Sequence, residues 1–150
     1  MKNLYHHSDY QEIISRLENL KFTSERKWGK MTVSQMLVHC QKPMEVAEQK
    51  LVVKRNLISL LFGKMMKNKL IVKGLDFDKN LPTAKEFIVA ADCDFETERT
   101  KLLNMIHAFY NSGPSAIKTN THPFFGKMSP SEWGLLFYKH LDHHLLQFGG

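Results

Sequence analysis

Apolar residues recur at three- and four-residue spacing along most of the chain, the period of a helix with one buried face. Tyr10, Ile13, Ile14, Leu17 and Leu20 predict a first helix over about 8–20, with Ser8 as its N-cap. Val33, Met36, Leu37, Cys40, Met44 and Ala47 predict a second. Thr32 and Gln35 open it as a capping box, in which each side chain satisfies the other's backbone N–H. Pro43 lies inside this run and offers no N–H to the His39 carbonyl, so a kink or loosened turn is expected. A short amphipathic helix is expected within 56–68, and 74–93 reads as a long loop around Gly74 and Pro82.

Asp94 caps the next helix, whose stripe is Phe95, Leu102, Leu103, Ile106, Phe109 and Tyr110 and which Gly113 and Pro114 stop. After a loop over 115–128 the last helix has the clearest start: Ser129 as N-cap, Pro130 at the first helical position and Glu132 completing a capping box. Leu70–Val72 and Phe87–Ala90 are weak strand candidates. Four main helices with a long middle connection predict an all-α, antiparallel four-helix bundle with one crossover, in a single domain over 1–150.

Composition narrows the function classes. The 150 residues carry 21 Lys and Arg against 15 Asp and Glu, a net charge of +6. Two cysteines form no disulfide framework, no secretory leader is visible, and no apolar run is long enough to span a bilayer, so the cytoplasm is the expected location. Seven cations lie between Gln49 and Leu75 without an acid. The reading is a solvated amphipathic helix. A grip on a membrane surface or on phosphate is the lesser alternative, and nucleic acid is disfavoured because Phe62 is the one aromatic there.

The chemistry lies in eight histidines. With Trp133 at zero and about 100° per residue, His140 falls near −20° and His144 near 20°, inside the apolar stripe of the last helix. His143 falls on its flank at about −80°. Two imidazoles one turn apart on a buried face can meet one metal, and His39 on the second helix is the best third ligand. The alternative is a polar network or a partly wet groove. His107 flanks its own helix and reads as structural or as a support behind the ligands. His122 precedes Pro123 in a loop and is a candidate fourth ligand or proton shuttle. Asp142 points away from the metal face, near 180°, and is a poor general base. Cys40 reads as buried, and no zinc-protease, Walker-type or dinucleotide motif is present.

Several segments resemble one known superfamily: Trp28-Gly-Lys-Met31, Ser34-Gln-Met-Leu-x-His39, His122-Pro-Phe-Phe-Gly126, Trp133-Gly134 and, most distinctive, Tyr138-Lys-His-Leu-Asp-His-His-Leu-x-Gln-Phe-Gly149. The chain resembles the DinB-like, YfiT-type metal-binding four-helix bundles, in the branch of short bacterial domains of unknown function. The resemblance implies a divalent ion, nickel, zinc or iron, held by His39, His140 and His144, with open positions for water or substrate. It also implies hydrolysis or transfer of a small thiol, reactions of some members. A non-catalytic metal- or small-ligand-binding domain is the alternative.

Leu135 and Leu146 fall on the outer face of the last helix, at about −160° and −140°. Two covers are expected for them: Leu57, Leu61 and Met65 of the segment 56–68, or a second subunit in a homodimer.

Overall fold

The computed structural model describes residues 1–150 and is mostly helical. Its five α-helices are α1 (His7–Asn19), α2 (Val33–Ala47), α3 (Leu57–Lys67), α4 (Phe95–Ser112) and α5 (Pro130–Gln147). A two-stranded antiparallel hairpin, β1 (Thr121–His122) and β2 (Gly126–Lys127), pairs Thr121 with Lys127 and His122 with Gly126. α1 packs on α4 and α5, and α2 packs on α4 and α5. Thirty buried apolar side chains form one cluster between them, with Trp133, Phe137, Leu37, Leu102 and Ile106 wholly enclosed.

The capping chemistry places the helix starts where the sequence puts them. Thr32 with Gln35, Asn56 with Ser59, and Ser129 with Glu132 each form a complete capping box, and the Asp94 side chain accepts from the Thr97 N–H. α1 differs. It begins at His7 with His6 as N-cap, so Ser8 lies inside the first turn. The first residues are held instead by Asp9, whose carboxylate accepts from the Asn3 N–H at 2.8 Å.

α2 runs unbroken through Pro43 to Ala47. Pro43 does not end the helix: it is buried, in a helix packed on both α4 and α5. The two strand candidates are not strands. Leu70–Val72 lies in a π-helical turn (Asn68–Val72) that buries Leu70 and Ile71, and Phe87 ends a short 3₁₀ turn (Lys85–Phe87). The real strands are two residues each, too short for an alternating pattern to show in sequence.

α5 is enclosed on more sides than its stripe suggests. The π-helical turn packs against it, Leu135 is buried, and Lys139 donates to the carbonyls of Gly74 and Leu75 while pairing with Asp76 at 3.1 Å. Thus the stretch after α3, and not α3 itself, covers the outer face. Leu57, Leu61 and Met65 point to solvent, because α3 seats itself through Ser59 and Gly63. Leu146 stays 47% exposed. No helix is long and apolar enough to cross a membrane.

Candidate metal centre

α2 and α5 bring His39, His140 and His144 together across their interface. The three offer one ring nitrogen each, all within 4.8 Å of one another. Nε2 of His39 lies 3.1 Å from Nε2 of His140, and the His140 and His144 ring centres are 4.7 Å apart, as the i, i+4 spacing on α5 requires. His39 and His144 are buried, and His140 is partly exposed.

The hydrogen bonds behind the rings settle where the protons sit. His39 Nδ1 lies 3.0 Å from the Phe87 carbonyl oxygen. A carbonyl can only accept, so Nδ1 carries the hydrogen and Nε2 is left as an acceptor, facing Nε2 of His140. The same logic fixes His144 in two steps. Nε2 of Gln147 donates to the Trp28 carbonyl at 2.7 Å, which turns the amide oxygen towards His144. That oxygen lies 2.8 Å from His144 Nδ1 and accepts its hydrogen, leaving His144 Nε2 bare. Gly29, at φ +80, makes this possible. A Cβ there would come within 2.5 Å of Gln147 Nε2.

Burial keeps the cluster uncharged. Loss of water is the first cause in each case. It lowers His39 against the opposing pull of the Phe87 carbonyl, drives His140 well below the ordinary value, and brings His144 down to about 3. The neighbouring imidazoles push His140 and His144 further the same way. Neutral imidazole is the form that binds a metal.

Of the other histidines, His143 joins the surroundings of the cluster. Its ring meets those of Trp28, Phe77 and His144 edge-on, and burial lowers its basicity. Lys79 Nζ sits 4.4 Å over the Trp28 ring, at the same rim. His122 does not reach the cluster as a ligand. Its Nδ1 accepts two backbone hydrogens, from Phe124 at 3.0 Å and Phe125 at 3.1 Å, and its ring stacks on Phe125 and leans on Trp133. It organises the hairpin loop. His107 meets the Tyr10 hydroxyl between α1 and α4 and plays no part in the cluster.

Asp142 turns away and pairs with Arg16 at 2.6 Å, as its helical phase predicts. Cys40 is buried against Met36, and burial pushes its thiol up. Sequence reasoning misses the two groups that orient the clustered imidazoles. Phe87 acts through its backbone, which leaves no trace in residue type. Gln147 stands three residues after His144 inside the most distinctive segment, and that spacing is a usable signal.

The sequence profile of a family described as protein of unknown function (DUF1569) matches residues 2–149. No curated protein and no solved structure matches the chain.

Proposed function

We propose that this chain, which belongs to the DUF1569 family, is a divalent-metal-binding protein whose ion is held by His39, His140 and His144. The observation that carries the reading is that the groups behind the His39 and His144 rings leave Nε2 of each as an acceptor, in a cluster whose three ring nitrogens lie within 4.8 Å of one another. The donor set suits a first-row ion. Metal–imidazole bonds of 2.0–2.1 Å in tetrahedral geometry put ligand nitrogens roughly 3.3 Å apart, against 3.1 Å between His39 and His140. Three neutral ligands leave the ion its full charge and room for a further group.

The kinship with DinB-like bundles belongs to the same reading. α1, α2, α4 and α5 would be its four helices, and nickel, zinc or iron its ion. When bound, such an ion would supply a Lewis acid and an acidified water. The chain's own part is to hold three imidazoles neutral and aimed, and to shield them with Trp28, Phe77 and His143. Hydrolysis or transfer of a small thiol is the reaction class that fits the proposed kinship. A non-catalytic ion or ligand carrier is the second reading, favoured by the engagement of the α5 carboxylate, Asp142, with Arg16.

Elemental analysis of untagged protein tests the centre, with close to one divalent ion per chain expected. Protein that holds no divalent ion after exposure to nickel, zinc and iron would overturn the proposal. A panel of thiol and ester substrates, with and without chelator, separates the enzyme from the carrier.

A further inference from the structure

α3 buries the wrong side for an ordinary amphipathic helix. Its two buried residues are Ser59 and Gly63. A Cβ on Gly63 would collide with the Phe124 carbonyl oxygen, so the helix backbone lies directly on the hairpin loop. The opposite arc carries Leu57, Ile58, Leu61, Phe62 and Met65, exposed at 76, 62, 73, 49 and 60%. The helix is closed at its start by its own cap and pinned to the hairpin and α5 at its end. Asn56 and Ser59 form the capping box, and Lys67 donates to the Lys127 carbonyl and pairs with Glu132, both at 2.7 Å. The outward apolar arc is therefore a consequence of how the helix is attached. Val52, Val72 and Leu75, in the segments flanking α3, are exposed as well.

The rim of this surface is cationic. Lys50, Lys67 and Lys69 are engaged by Glu48, Glu132 and Asp78. Lys54, Lys64 and Lys73 are exposed and have no carboxylate partner, whereas the Arg55 guanidinium lies over Gly126 of the hairpin; no acid lies between Gln49 and Leu75. We propose that α3 is an interfacial anchor that lays its apolar arc into the headgroup boundary of an anionic lipid surface, with these three cations on the lipid charges. Stable attachment at an interface needs two signals, and apolar area with a basic rim supplies both. At 11 residues, or about 16 Å, the helix is too short to span a bilayer and can engage only its surface. A two-fold dimer through the same face would bring the unpaired Lys54, Lys64 and Lys73 of two copies into one interface. Nucleic acid would find one aromatic, Phe62, for stacking. This inference is independent of the metal centre.

The test mixes the full chain with sedimenting vesicles of phosphatidylcholine alone or of phosphatidylcholine with phosphatidylserine. Binding is expected to the mixed vesicles, weakly or not at all to phosphatidylcholine, and should fall as salt rises. Leu61→Glu with Met65→Glu should weaken it by about tenfold or more, since two apolar side chains lose their burial. Both positions are solvent-exposed, so circular dichroism and melting temperature should stay unchanged. Lys54→Glu with Lys64→Glu gives a second route to the same loss. No binding to the mixed vesicles, or binding indifferent to both double variants, would overturn the proposal. So would a dimer in solution that Leu61→Glu with Met65→Glu converts to monomer, because the face then belongs to a second copy.

Discussion

His122 and His144 are both buried, both neutral, and both brought down to about 3, yet they are chemical opposites. At the hairpin, Nδ1 of His122 accepts from two backbone amides, so its lone pair is used up inside the loop. At the α2–α5 interface, Nδ1 of His39 and of His144 each face an acceptor, so the lone pair at Nε2 is left over. Burial and depressed basicity therefore do not by themselves mark a ligand. What distinguishes the cluster from the hairpin is the type of group behind the ring, donor in one case and acceptor in the other.

The sharpest way to break this contrast is to remove rings. His140→Ala and His144→Ala should each strip the divalent ion, and His39→Ala should weaken it substantially, while His122→Asn leaves metal content unchanged. Elemental analysis of the untagged variants reads this directly. Full occupancy in both α5 variants would erase the distinction. Next in size is the support behind the ring. Gln147→Leu keeps all three ligands but frees the His144 tautomer, and should cost about 10–100-fold in metal affinity by calorimetric titration.

A smaller effect concerns acid. His122 has a folded value near 3 against 6.5 in the unfolded chain. Between these the unfolded chain takes up a proton that the folded chain excludes. Stability contributed by keeping the ring neutral is thus complete above about 6.5 and is lost as pH falls towards 3, at up to about 1.4 kcal/mol per pH unit. In chelator-treated protein His39 and His144 act with the same sign. His122→Asn offers an acceptor oxygen in place of Nδ1 without titrating, so its denaturation midpoint should depend less steeply on pH between 7 and 5. An unchanged slope would show that His122 is not excluded from protonation. The smallest effect is expected at His143, which touches Trp28, Phe77 and His144 by ring edges alone. His143→Phe should leave metal content as it is.

Local chemistry makes much of the fold legible in the residues themselves. The helix starts follow from Thr32, Asp94 and Ser129, because capping is an exchange of hydrogen bonds between neighbouring residues. The approach of His140 and His144 follows from helical phase. Other features depend on non-local partners and are not legible in this way. Whether Leu61 faces in or out is decided by the Phe124 carbonyl under Gly63, far along the chain. α2 continues past Pro43 while packed on α4 and α5, both distant in sequence. The role of Phe87 is carried by a carbonyl that every residue possesses.

The bond from Gln147 to the Trp28 carbonyl spans 119 positions of sequence. Reversing that amide would point its NH₂ group at His144, force the imidazole hydrogen onto Nε2, and close the lone pair without displacing the ring. The turn at Trp28 and Gly29 thus acts as a latch on an electronic state: it holds the His144 hydrogen on Nδ1 without touching the ring.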